Sequence, residues 1–128
     1  MLQLKSYQQR TLDELKEFLV DTNKLVSISQ LEPEKAFKLV FSLKNEETPY
    51  KSLQDLANIP YLCIKIPTGG GKTLVASYSL PIILDNYLQD KNGKGLVLWF
   101  VPSEAIRTQT LKNLKDRQHP YRKVLDEK

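Results

Sequence analysis

Ile66-Pro67-Thr68-Gly69-Gly70-Gly71-Lys72-Thr73 is the stretch on which the reading of this chain turns. Three consecutive glycines let the backbone bend so that successive N–H groups point toward one centre. A helix opening directly after them adds its free N–H groups and the positive end of its dipole. Lys72 is placed to neutralise β- and γ-phosphates, and the Thr73 hydroxyl to coordinate Mg²⁺. Thr68, Gly69, Gly70, Gly71, Lys72 and Thr73 are therefore the candidate nucleotide-phosphate site, with Lys72 and Thr73 as its catalytic candidates. The pattern GxxxxGK[ST] fails at its first position, where Ile66 stands, but the tighter core Gly-x-Gly-Lys-Thr is intact.

The flanks set the expected fold. Tyr61-Leu-Cys-Ile-Lys-Ile66 is a short apolar run of the kind that forms a buried strand, and Gly95-Leu-Val-Leu-Trp-Phe-Val101 is a second. Between them, Lys72 to about Leu88 is apolar on nearly every face, as in a helix covered on several sides. Pro81 should kink it, because it has no N–H for the carbonyl of Ser77. Asp90–Lys94, with Asn92-Gly93, is a turn signal. Ser103 can N-cap a further helix to about Asp116. Strand, loop, helix, strand, helix predicts an α/β domain with parallel strands and a right-handed crossover, that is, a P-loop NTPase fold. Upstream, Leu12, Leu15, Phe18 and Leu19 predict an amphipathic helix over ~7–21. Residues 22–30 read as a polar connector. Pro33 and the stripe Ala36, Phe37, Val40, Leu43 predict a second helix over ~33–45. Residues 46–60 read as irregular, with a short helical turn at Leu53–Ala57. The chain thus divides into a helical segment, 1–60, and an α/β part, 61–128.

Composition narrows the classes. The chain has 128 residues, 41% of them apolar and 27% charged, which suits one folded domain. Its longest nearly apolar run, Gly95 to Pro102, is far short of the ~20 residues of a membrane span. The N-terminus lacks the apolar core of a secretory signal. One cysteine and one histidine leave no material for a disulfide or a Cys/His metal cluster. These features predict a cytoplasmic protein that does not engage a membrane. Residues 1–60 carry a net charge of −1 and residues 61–128 a net of +5, so the basic half is the one with the phosphate loop.

Pro67-Thr-Gly-Gly-Gly-Lys-Thr73 resembles motif I of superfamily 2 (DEAD/DEAH-like) helicases and translocases. Leu4-Lys-Ser-Tyr7-Gln8 is similar to the Leu-Arg-x-Tyr-Gln signature of that family, which implies that Gln8 reads the adenine edge and that Tyr7 shapes the pocket. Val101-Pro102-Ser103, followed by Gln109, resembles motif Ia. The nearest form is the Res subunit family of type III restriction enzymes, through Val101–Thr110 and Asp116–Arg122. The resemblance implies a partial RecA-like domain carrying motifs I and Ia. It implies ATP and Mg²⁺ as cofactors, double-stranded DNA as a partner, and a modification subunit that supplies sequence specificity. Ser103 and Arg107 are the nucleic-acid-binding candidates. Ser103 could equally be a plain N-cap, and Arg107, near the apolar stripe of its helix, could hold an ion pair instead. On that helix Ile106, Leu111 and Leu114 are expected to face inward.

The acidic motif that such an ATPase needs has two imitators. Ile82-Ile-Leu-Asp85 starts inside the helix that must follow the loop, and Val124-Leu-Asp126-Glu127 lacks the run of apolar residues a buried strand requires. The chain is therefore expected to stop before motif II and to lack hydrolysis alone. Two rival readings remain at this level. One is a P-loop small-molecule kinase, using Arg107, Arg117 and Arg122 on its substrate. The other is a non-catalytic nucleotide- or DNA-binding module. Cys63 and Trp99 are expected in the core and His119 in a surface turn.

Overall fold

The computed structural model describes residues 3–89 and 95–127. Among the described residues five α-helices follow one another: α1 (Ser6–Ser27), α2 (Pro33–Lys44), α3 (Lys72–Ile83), α4 (Glu104–Lys115) and α5 (Pro120–Asp126). A π-turn, Leu84–Leu88, continues α3. The Asn92-Gly93 turn lies outside the described residues.

α1 is the common support. Leu15, Phe18 and Leu19 on α1 meet Phe37 and Val40 on α2 and Tyr50 beyond it. The rings of Phe18, Phe37 and Tyr50 lie with centroids 6.0–6.5 Å apart, within the range in which aromatic pairs attract. The Tyr50 hydroxyl accepts a hydrogen bond from the Tyr61 N–H at 2.8 Å. The apolar cluster is thereby fastened to the segment leading into the glycine loop. A second cluster joins Leu12 of α1, Ile66 before the loop and Val75 of α3. Two buried hydroxyls are satisfied locally. Thr22 donates to the carbonyls of Phe18 and Leu19, and Ser77 to that of Thr73. The Lys44–Glu17 ion pair closes the exposed edge between α2 and α1. α5 packs on α3 and carries α4.

The expected α/β class is overturned: among the described residues there is no strand and no sheet, and all their regular structure is helical. A strand is a pairing relation, and an apolar run becomes one only where a neighbour takes its N–H and C=O groups. Among the described residues, no backbone segment pairs with residues 61–66. Leu62 packs against one cluster and Ile66 lies in the other, whereas Tyr61, Cys63 and Ile64 are exposed, so the segment touches the helices at Leu62 and Ile66 and meets water between them. Cys63 is thus not a core residue. In the second run Leu96 is 89% exposed, Leu98 70% and Phe100 88%, and Trp99 is half-buried, not enclosed. The expected crossover between parallel strands falls with the strands.

Other boundaries shift as well. α1 runs through most of the expected connector, to Ser27. α2 matches its expected span, and residues 53–59 form short turns, with Leu56 N–H bonded to Leu53 O. α3 passes through Pro81 and runs on into the π-turn. The Leu84 N–H is shared between the carbonyls of Leu80 and Pro81 where the helix begins to widen. α5 was not foreseen. His119 N-caps it, its Nδ1 accepting the Tyr121 N–H at 3.3 Å.

Candidate nucleotide-phosphate site

Ile66, Gly70 and the first turn of α3 bring the glycine loop against α1. Pro67 to Gly70 closes as a tight turn, with the Gly70 N–H bonded to the Pro67 carbonyl at 2.9 Å. Gly69, the third residue of the turn, has φ +78°, the sign that a type II turn requires there. Gly71 has φ +82° and N-caps α3. A side chain on Gly70 would come within 2.5 Å of Ile66 Cγ2 and 2.8 Å of the Pro67 carbonyl oxygen. On Gly71 it would come within 2.6 Å of Gln8 Nε2. A Cβ on Gly69 would meet nothing, so that position is held to glycine by its backbone angle alone.

The same loop carbonyl collects two donors from α1. Tyr7 Oη donates to Gly70 O at 2.8 Å and Gln8 Nε2 donates to it at 2.7 Å. Gln8 is only 4% exposed. Its Oε1 accepts the Lys5 N–H at 2.9 Å, half of a capping box at the start of α1. Two motifs 62 residues apart in the chain are therefore in direct contact. Tyr7 also lines a cleft of about 300 Å³ with Arg10, Thr11, Glu14, Lys65, Ile66 and Pro67.

Lys72 stands exposed at the first position of α3, Thr73 follows half-buried, and Thr68 and Gly69 are exposed at the tip of the turn. The helix that follows has 12 residues, enough to carry a dipole and free N–H groups at its start. A glycine cradle closed to any Cβ at two positions, with a free-standing ammonium and a hydroxyl beside it, fits a polyphosphate with its Mg²⁺.

The nucleic-acid candidates lie elsewhere, on α4. Ser103 is its N-cap, accepting the Ile106 N–H at 3.4 Å. Arg107 is not beside an apolar stripe: it is exposed and pairs with Glu104 at 2.6 Å. Ile106 and Leu111, expected to face inward, are both exposed, and Leu114 is half-buried. The reason is that α4 touches the rest of the chain mainly through α5 and has little surface to turn toward. The acidic imitators also find their places. Asp85 lies in the π-turn, about 20 Å along the helix from Lys72 at 1.5 Å per residue. Asp126 is bonded by Arg122 Nε at 2.7 Å.

Sequence reasoning missed Asn23. Its Nδ2 donates to the carbonyls of Asn86 and Tyr87 in the π-turn. A polar residue late in a helix gives no local signal of such a partner. Through Asn23, α1 grips the far end of the α3 segment as Tyr7 and Gln8 grip its loop.

A family model described as the Res subunit of type III restriction enzymes matches residues 1–128. No curated protein and no solved structure matches the chain. The chain belongs to the type III restriction enzyme Res subunit family, whose domains are of the DEAD/DEAH-like helicase kind.

Proposed function

We propose that this member of the Res subunit family binds ATP with Mg²⁺ through Thr68–Thr73, as part of an ATP-dependent DNA helicase or translocase. The observation that carries the reading is the closed glycine turn docked on Tyr7 and Gln8 at the head of α3. Gly69 and Gly71 would present backbone N–H groups to the phosphates, while the Gly70 N–H holds the turn closed. Lys72 would balance the β- and γ-phosphate charge, and Thr73 would hold Mg²⁺ through its hydroxyl. When bound, the metal neutralises charge on the terminal phosphates. Reading of the adenine edge by Gln8, beside Tyr7, would require its amide to leave the Gly70 carbonyl or the Lys5 N–H. The division into an N-terminal helical segment, 1–60, and a nucleotide-binding part, 61–128, belongs to the same proposal.

DNA and a modification subunit are partners at the level of the family. Ser103 and the exposed face of α4 are the proposed backbone-contacting surface, with Arg107 available to a DNA phosphate if it leaves Glu104.

Titration calorimetry with Mg²⁺–ATP, on this chain and on Lys72→Ala, tests the proposal. Saturable binding by the parent, weakened at least tenfold in the variant, is the expected result. Equal binding by the two folded proteins would sink it.

A further inference from the structure

The two peptides between glycines in the loop are fastened by different means. In the Gly69–Gly70 peptide, the N–H is held within the turn by Pro67 O at 2.9 Å. In the Gly70–Gly71 peptide, the carbonyl is held from outside, by Tyr7 Oη at 2.8 Å and Gln8 Nε2 at 2.7 Å. Glycine on both sides removes the Cβ clashes that normally resist a 180° rotation of a peptide plane. Without its two external donors, this is the loop peptide freest to turn over.

Its direction matters for an anion. A trans peptide points its C=O and N–H in opposite directions. With Gly70 O turned toward α1, the Gly71 N–H is turned away from α1. Turned over, the same peptide would present a carbonyl oxygen where the N–H had been, and so repel a phosphate. The Gln8 amide cannot reverse to follow it, because Oε1 is engaged by the Lys5 N–H at 2.9 Å and the side chain is buried.

We propose that Tyr7 and Gln8 are positioning residues that lock the Gly70–Gly71 peptide with its N–H toward the bound polyphosphate, whatever base the ligand carries. This rests on the phosphate-loop reading above. It differs from a role in reading adenine, because it acts on a ligand that has no base.

The test is titration of Mg²⁺–tripolyphosphate and Mg²⁺–ATP into the full chain, Tyr7→Phe, Gln8→Met and the double variant, with Lys72→Ala as reference. Loss of one hydrogen bond of ordinary strength predicts about fivefold weaker tripolyphosphate binding by Tyr7→Phe. The double variant should lose more than tenfold, with ATP falling in parallel. Tyr7→Phe removes only an oxygen, so it keeps the test open if Gln8→Met fails to fold. A melting temperature lowered by no more than the loss of one hydrogen bond in Tyr7→Phe separates positioning from general damage. The Gly71 amide resonance gives a second readout without ligand: a single sharp peak in the parent, and a broadened or doubled peak in Tyr7→Phe. Weaker ATP binding with tripolyphosphate unchanged would overturn the proposal in favour of base reading alone. Unaltered binding in Lys72→Ala would instead overturn the phosphate site, and the lock with it.

Discussion

Residues 61–66 and 95–101 are alike in composition and opposite in fate. Both are apolar runs that precede a turn and a helix. The first ends on a buried Ile66, is tied to Tyr50 through Tyr61, and delivers a glycine loop onto α1. The second leaves Leu96, Leu98 and Phe100 almost fully in water and delivers α4, which the rest of the chain reaches mainly through α5. The difference shows that an apolar run is only a demand for cover. Whether it is met depends on a neighbour elsewhere in the chain, and here the neighbour is α1.

The largest expected effect breaks the covered side. Phe37 is 1% exposed and lies among Phe18 and Tyr50. Phe37→Ala should cost ~3–5 kcal/mol by the measure of buried aromatic truncations, read from denaturant unfolding. Phe100→Ala, at the exposed run, should stay within ~0.5 kcal/mol. A Phe100 variant as damaging as the Phe37 one would mean that the second run is covered after all. The next effect is at the loop. Gly70→Ala drives a methyl into Ile66 and the Pro67 carbonyl and should cost ~1–3 kcal/mol, with nucleotide binding lost. Gly69→Ala meets no atoms and should cost only the ~1–2 kcal/mol of a left-handed alanine, so calorimetry should rank it milder. Asn23→Ala, at the far end of the same helix, should cost ~1 kcal/mol in thermal unfolding. A neutral result would show that the Asn23 bonds add nothing to the apolar packing of Ile82, Ile83 and Tyr87 against the α1 cluster.

The smallest effect concerns pH and α2. The hydrogen bond from Lys38, then that from Ser52, holds the Glu34 carboxyl below its ordinary value of 4.5. A depressed folded value means that its contribution is fully present above the unfolded value and is lost as pH falls through the lower folded one. The carboxyl is exposed, so the change is slight. Glu34→Gln should flatten the acid limb of the stability profile without moving its neutral plateau.

Much of the helical architecture was legible because amphipathic spacing is local. Leu12, Leu15, Phe18 and Leu19 announce α1, Pro33 opens α2, and Ser103 caps α4. The glycine loop was legible for the same reason, since its conformation needs residues adjacent in sequence. The sheet was misread because pairing is not local. The inward face assigned to Ile106 and Leu111 failed because a stripe on a helix does not say whether anything lies opposite it. Nor does the sequence around Gln8 reveal that its amide would bind the Gly70 carbonyl, or that around Asn23 that it would reach the π-turn.

The π-turn has a consequence in heredity. A wide turn is what a helix does with one residue more than its regular winding needs. A gene copy that lost one codon between positions 84 and 88 would let that stretch close as ordinary helix, leaving the glycine loop untouched at the other end. One codon lost between 67 and 71 has no such reserve, because every residue there is committed to the turn. Length variation among descendants of this sequence should therefore gather at the first place and avoid the second.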